Sequence, residues 1–152
     1  MAMSGTYMTD VPLNGSAEKH YKLWSSETHR IPDTIGHLIQ GVILHEGDWD
    51  SHGSIKTWKY NLDGKEEEFK ERTEIDEEKM AVTMTALDGQ VMEELKVYIP
   101  NLQFIPESQN ACVCKVSVKW EKRTEDSEPA KFYKFLEKMI ADSDDHILHN
   151  QE

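Results

Sequence analysis

The sequence predicts an α+β domain in which seven antiparallel strands pack against one long C-terminal helix. From residue 41 to 121 apolar and polar residues alternate with a period of two, which is typical of half-buried strands. The connections there are short and carry turn residues, such as Asp63-Gly64 and Asp88-Gly89, so neighbouring strands should run antiparallel. An apolar stripe at helical spacing follows near the C-terminus.

The N-terminal elements are one strand and two short helices. Thr6 to Leu13 is predicted as the strand, and Ser16 as the N-cap of the first helix. The second helix begins at Pro32, which a first helical turn tolerates. The apolar faces contain Ala17, His20, Tyr21 and Trp24 in the first helix and Ile35, Leu38 and Ile39 in the second.

Six further strands complete the predicted sheet, at 41–47, 53–62, 67–75, 79–87, 91–105 and 112–122. In the last of them Cys114 and Val116 point to one face and Lys115 to the other, so one face is buried and the other is solvated. Pro100 has no N–H to donate to a ladder, and we expect an edge, a bulge or a break there.

The closing helix is predicted from about residue 127 to His149. Its apolar positions fall at i, i+3, i+4, i+7 and i+8, and the inward face of the sheet is the large apolar surface available to cover them. The stripe consists of Phe132, Phe135, Leu136, Met139 and Ile140.

Composition limits the classes of function. At 152 residues the chain fits one domain, residues 1–152, and the net charge of −12 disfavours nucleic acids and anionic membrane surfaces. We expect no membrane-spanning segment, since no apolar run is long enough, and no secretory signal, since MAMSGTYMTD lacks a basic start and an apolar core. Cys112 and Cys114 are too close along a strand to form a disulfide with each other. We therefore expect a cytoplasmic location. The oligomeric state that we expect is a monomer, with a weak dimer as the alternative.

Four segments resemble the plant major latex proteins, a branch of the birch-pollen-allergen or pathogenesis-related class-10 superfamily. They are GSAEKHYKLW, IPDTIGHLIQGVILHEGDWDSHGSIKTWKYNLDG, FKERTEIDEEKMAVT and VCKVSVKWEKRTEDSEPAKFYKFLEKM. The resemblance implies a helix-grip (START-like) fold, in which a curved sheet surrounds the long helix and leaves a cavity. It also implies a hydrophobic or amphipathic guest (a lipid, steroid, hormone or secondary metabolite) and an association with plant defence and stress response.

Strand parity, combined with this resemblance, predicts which residues line the cavity. Aromatic and methionine side chains adapt to varied apolar shapes, and the Tyr60 hydroxyl is available to orient a guest. The alternative is that these are ordinary core residues. The predicted lining is Leu38, Trp58, Tyr60, Val82, Met84, Leu102, Cys114, Val116, Phe135 and Met139. No cofactor, metal ligand or catalytic residue is assigned.

An enzyme is the competing hypothesis, since some members of the superfamily are isomerases or condensing synthases. Glu71 is the one inward carboxylate that parity nominates, with Tyr60 and Tyr98 as assistants. A hormone receptor is a third hypothesis, but residues 87–90 do not resemble the small-residue gate loop of such receptors.

Three further groups are interpreted structurally. The loop Gly47–Gly53 keeps two glycines, but its acidic side chains would repel a phosphate. His20 and His37 are interpreted as core or rim histidines. The spacing of Asp142, Asp145, His146 and His149 fits either a metal site or, as we prefer, a solvated helix end.

Overall fold

The computed structural model describes residues 2–149, in which seven strands form one antiparallel sheet around a long C-terminal helix. Residues 1 and 150–152 of the predicted domain lie outside the described residues. The strands are β1 Ser4–Leu13, β2 Ile39–Glu46, β3 Ser54–Leu62, β4 Lys65–Asp76, β5 Ala81–Gly89, β6 Leu95–Ser108 and β7 Ala111–Lys122. The helices are α1 Ala17–Ser26, α2 Ile31–Thr34, α3 Gln90–Glu94 and α4 Pro129–His149, with a 3-10 turn at Thr28–Arg30.

The strand order is β1-β7-β6-β5-β4-β3-β2, so β2 to β7 form a meander and β1 returns beside the last strand. The turn between β3 and β4 has positive φ at both central residues, 53° at Asp63 and 79° at Gly64. A two-residue hairpin of type I′ requires this geometry, and Asp-Gly is one of its preferred pairs. The predicted α+β order and the antiparallel meander are confirmed.

The two N-terminal helices differ in how well the sequence predicted their extent. The Ser16 side chain accepts a hydrogen bond from the Lys19 N–H at 3.2 Å, which confirms the predicted N-cap of α1. Helix α2 is shorter than predicted, because it ends at Thr34 and Ile39 already belongs to β2. A tight turn brings residues three or four positions apart together, as a helix does. The spacing of the apolar residues therefore did not distinguish the turn after Thr34 from a longer helix.

The predicted strand 91–105 begins with a helix instead. Gly89 has φ 113°, and a Cβ there would lie 2.1 Å from the carbonyl oxygen of Glu68. The next residue, Gln90, accepts a hydrogen bond from the Glu68 N–H at 2.8 Å, which holds the start of α3 against β4. Asp88-Gly89 therefore leads into α3 rather than into a hairpin turn.

Pro100 stands where the sheet opens between β5 and β6. These strands pair at Ala81–Gln103, Val82–Leu102 and Thr83–Asn101, so the next pair would join Met84 to Pro100. Proline has no N–H to continue that ladder. On the other side β6 keeps its register with β7 past Pro100, which pairs with Val118. The expected break is thus confined to the β5 side.

Helix α4 packs across the inner face of the sheet. Phe132, Leu136, Met139 and Ile140 are at most 7% exposed, as the stripe predicted, while Phe135 is half-buried. The opposite wall includes Trp58 and Tyr98. This arrangement places the candidate site between α4 and the middle strands.

Candidate functional site

An apolar cavity of about 60 Å³ lies between α4 and strands β2 to β6. Pockets that hold drug-sized ligands usually have volumes of about 300–1,000 Å³, so a guest of that size requires the walls to move apart. In the described part of the chain, the cavity is lined by Trp24, Ile39, Trp58, Tyr60, Leu62, Phe69, Met84, Val91, Tyr98, Pro100, Phe132, Phe135, Leu136 and Met139.

Five of the ten predicted lining residues contact this cavity: Trp58, Tyr60, Met84, Phe135 and Met139. The other five are buried but lie outside its lining. Helix α1 packs on β5, β6 and β7, and it fills the interior at the end of the sheet where Val82 pairs with Leu102. The space that remains is displaced toward β3 and β4. That a guest contacts these ten residues, inside or outside the lining, stays a prediction. The five residues outside the lining are Leu38, Val82, Leu102, Cys114 and Val116.

Several lining residues were missed although the sequence carried a signal for them. Leu62 shares parity with Tyr60, and Phe69 shares parity with Glu71. Phe132 and Leu136 belong to the recognised stripe of α4. Val91 had no usable signal, because it lies in the helix that replaced part of a predicted strand.

The two tyrosines of the lining are neutral phenols. Burial raises the pKa of both, and the neighbouring Glu67 carboxylate raises that of Tyr60 further. The Tyr60 hydroxyl donates to Glu67 Oε1 at 2.9 Å, and its ring contacts Phe135 with 5.3 Å between centroids. Tyr98 packs edge-on against Phe69 and Phe132. The proton of the Tyr60 hydroxyl is thus already engaged toward the protein surface.

Four polar side chains, which we call the polar quartet, form a buried cluster beside the cavity. Ser54 pairs with Thr73 and Lys56 with Glu71 across β3 and β4, and all four are at most 1% exposed. Glu71 Oε2 accepts hydrogen bonds from Trp58 Nε1 at 3.4 Å and Thr73 Oγ1 at 3.0 Å. The predicted inward orientation of Glu71 is confirmed.

Burial controls the ionisation of the two charged members of the polar quartet. It raises the pKa of Glu71 to about 7, although Thr73, Lys56 and Trp58 each oppose the shift. Burial likewise lowers the pKa of Lys56, against the attraction of Glu71. Lys56 was missed in the sequence, yet it shares strand parity with Trp58 and Tyr60.

The loop between β2 and β3 covers the polar quartet. Gly47 and Gly53 have φ of 76° and 83°, which supports their interpretation as structural glycines. Between them, the Trp49 ring centroid lies 5.9 Å from Lys56 Nζ and 4.7 Å from the ring of His29 in the 3-10 turn. Trp49 therefore lies over the lysine.

Three of the histidines interpreted from the sequence, His20, His37 and His149, have hydrogen-bond partners in the structure. His20 is fully buried and pairs with Asp144, whereas His37 Nε2 lies 2.8 Å from Asp142 Oδ2 at the surface. His149 Nδ1 donates to the backbone oxygen of Asp145. Within residues 2–149, no group of three or more His, Cys, Asp or Glu side chains has the geometry of a metal site. No helix in the same range is long and apolar enough to span a membrane.

Comparisons with known proteins agree with this geometry. The sequence pattern of the Pathogenesis-related protein Bet v 1 family matches residues 2–150. MLP-like protein 328 of Arabidopsis thaliana is 58% identical over 149 residues, which are 97% of this chain and 99% of that protein. The crystal structure of major latex-like protein 151 from Panax ginseng superposes with a TM-score of 0.90 at 26% identity, covering 97% of this chain and 99% of that one.

A more distant likeness concerns an enzyme. Norcoclaurine synthase from Thalictrum flavum, solved in complex with dopamine and hydroxybenzaldehyde, has a TM-score of 0.74 to this chain. The two share 15% sequence identity, over 98% of this chain and 89% of the synthase chain. At that level the comparison shows a shared fold and nothing about activity.

Proposed function

Because this chain belongs to the major latex protein branch of the Bet v 1 family, we propose that it binds a hydrophobic or amphipathic small molecule in the cavity under α4. The observation that carries the proposal is the lining itself. Aromatic and aliphatic side chains from five strands and three helices converge on one space that the core leaves unfilled. Burying apolar surface of a guest there contributes about 25 cal/mol per Å², less the costs of ordering.

The cavity has elements that allow it to widen. Met84 and Met139, which line it, are unbranched and adopt many rotamers. Beside Met84, β5 and β6 are not hydrogen-bonded beyond Asn101, so these strands separate without breaking a ladder. Phe135 on α4 is half-buried and contacts Tyr60. We propose that these residues move when the guest enters.

The proposal extends to the class of ligand and the setting. The guest is a lipid, steroid, hormone or secondary metabolite, and the protein acts as a cytoplasmic monomer in defence and stress response. The family membership supports these assignments. The protein is proposed to carry its guest without converting it.

One observation favours an enzyme as the second candidate. Glu71 has a pKa of about 7, suited to general acid or base catalysis, and lies across the strand pair from Lys56. Trp58, however, lines the cavity and donates to Glu71 Oε2, so its indole stands between the carboxyl group and the apolar space. A substrate screen with Glu71→Gln separates the candidates, because loss of a turnover seen with the wild type would identify an enzyme.

Native mass spectrometry of the protein purified from plant tissue tests the binding proposal directly. We expect a fraction of the molecules to carry one retained small molecule, whose mass identifies its class. Titration calorimetry with 1-decanol, an uncharged amphipathic probe, gives an independent measurement. An unliganded mass throughout, together with no heat of binding for 1-decanol, would contradict the proposal.

A further inference from the structure

Lys56 of the polar quartet has an unsatisfied ammonium group in the protein interior. Its side chain is 0% exposed, and Nζ has no hydrogen-bond partner within residues 2–149. Glu71, directly across the strand pair, lies beyond ion-pair distance of 4.0 Å, since no such contact joins the two. A buried group with three N–H donors and no acceptor costs several kcal/mol unless something else accepts from it. An acceptor is therefore missing at this position.

A second unsatisfied group lies on the same face of the same strand. Ser54 Oγ is buried and also lacks a hydrogen-bond partner in the described part of the chain. Ser54 and Lys56 are two residues apart on β3, so their side chains stand next to each other about 7 Å apart at the backbone. A carboxylate has two oxygens and accepts from a hydroxyl and an ammonium at once.

The polar quartet and the apolar cavity share a wall. Lys56, Trp58 and Tyr60 follow each other on the inner face of β3, and the last two line the cavity. Trp58 is held on the quartet side by a hydrogen bond of 3.4 Å to Glu71, which is long for an N–H···O contact. A guest that reaches both spaces therefore has to displace this indole from Glu71.

We propose that the polar quartet is the binding site for the carboxylate of an amphipathic guest, whose apolar body fills the cavity. This inference rests on the proposed function and specifies the ligand class as a monocarboxylic acid. Lys56 supplies the opposite charge and Ser54 a hydroxyl donor. Glu71 opposes a dianion such as phosphate, because its own charge would lie beside the ligand's. A single negative charge is tolerated, since Glu71 holds a proton readily at neutral pH.

Because the chain as a whole is strongly negative, a preference for an acid over its uncharged analogue would indicate a local positive charge. With a net charge of −12, the protein as a whole repels anions. The covering loop adds Asp48 and Asp50 on the outer side. Tighter binding of an acid than of its uncharged analogue therefore requires a local cation, and Lys56 is the buried candidate beside the cavity.

The test compares decanoate with 1-decanol in titration calorimetry at pH 7.5, on the wild type and on Lys56→Met. The methionine keeps most of the apolar stem but removes the charge. We expect decanoate to bind about tenfold or more weakly to the variant, as loss of a charge-assisted hydrogen bond implies, with 1-decanol changed by less than about twofold. Lys59→Met is the matched control, because Lys59 lies on the same strand but is exposed, and both affinities should stay unchanged.

The outcomes separate this inference from the proposed function. If Lys56→Met binds both probes as the wild type does, the proposed carboxylate site is wrong, while the proposal that the cavity binds a guest is retained. The same holds if the wild type binds 1-decanol but not decanoate. If the wild type binds neither probe, both the proposed function and this inference are contradicted.

A measurement on the wild type covers the case in which Lys56→Met does not fold. Titration in two buffers of different ionisation enthalpy reports the protons exchanged on binding. We expect decanoate to be accompanied by proton uptake, since a new anion beside Glu71 favours its acid form, and 1-decanol by none. Equal proton exchange with the two probes would overturn the proposal. In Glu71→Gln the uptake with decanoate should disappear.

Discussion

His20 Nε2 lies 2.8 Å from Asp144 Oδ1 in the protein interior and joins α1 to α4 across 124 positions of sequence. The same carboxylate accepts hydrogen bonds from the backbone N–H groups of Asn14 at 2.8 Å and Gly15 at 2.9 Å. A Cβ at Gly15 would lie 2.4 Å from Ile147 Cγ2, so α4 passes very close to the chain here. Asp144 thereby fixes the C-terminal half of α4 to the β1–α1 connection.

We expect Asp144→Asn to lower the free energy of unfolding by about 2–4 kcal/mol. The amide carries one oxygen in place of two, so at least one buried donor loses its acceptor, and the charge-assisted bonds are lost as well. Urea denaturation at pH 7 measures the change. Asp145→Asn is the control, because Asp145 is exposed on the next position of the helix, and it should change stability by less than about 0.5 kcal/mol. Equal stabilities of the two variants would show that Asp144 is not a structural anchor.

The strands and the long helix were predictable because burial in them is periodic. Alternation along β7 and the five-residue stripe of α4 each define one buried face, and only one arrangement buries both. Helix α3 lacked such a pattern, since five residues give barely more than one turn. It depends on the backbone of Gly89 and its contact with Glu68.

The site was harder to predict than the fold. Strand parity placed Trp58, Tyr60 and Glu71 on the inner face, but it did not show which inner-face residues surround empty space. That depends on where α1 packs along the sheet, which is a long-range property. The pair of His20 and Asp144 was invisible for the same reason, because partners so far apart in sequence leave no local pattern.

Glu71 should make the protein less stable as the pH rises from about 4.5 to 7. Its pKa is raised by burial from 4.5 in the unfolded chain to about 7 in the folded one, so the folded state binds more protons in this interval. The stabilisation is complete below pH 4.5 and is lost as the pH passes 7, to a total of roughly 3 kcal/mol as an upper value.

Urea denaturation of the wild type and of Glu71→Gln between pH 4.5 and 8 measures this effect. The buried His20 titrates in an overlapping range with the opposite sign, because burial lowers its pKa, and it acts equally in both proteins. The difference between the two stability curves therefore isolates Glu71. We expect the Glu71→Gln variant to gain stability relative to the wild type as the pH rises, and parallel curves would contradict the shifted pKa.

Gly89→Ala should destabilise the protein by about 3 kcal/mol or more. The backbone φ of 113° is strained for any residue with a Cβ, and the added atom would meet the Glu68 carbonyl oxygen at 2.1 Å. Thermal unfolding checks this expectation. Gly41→Ala in β2 is the control, since a Cβ at Gly41 meets no atom within 4 Å. A comparable loss in both variants would mean that the contact with Glu68 is not the cause.

Filling the cavity should weaken binding of the guest without unfolding the chain. Val91 is 1% exposed and lines the cavity from α3, so Val91→Phe places a ring in the space of about 60 Å³. We expect the affinity for 1-decanol to fall about tenfold or more, while overpacking costs roughly 1–3 kcal/mol of stability. Calorimetry and circular dichroism measure the two quantities. Leu87→Phe provides the control, because Leu87 is 42% exposed and lies four residues before Val91. Should both variants bind 1-decanol as the wild type does, the guest does not occupy the space beneath α4.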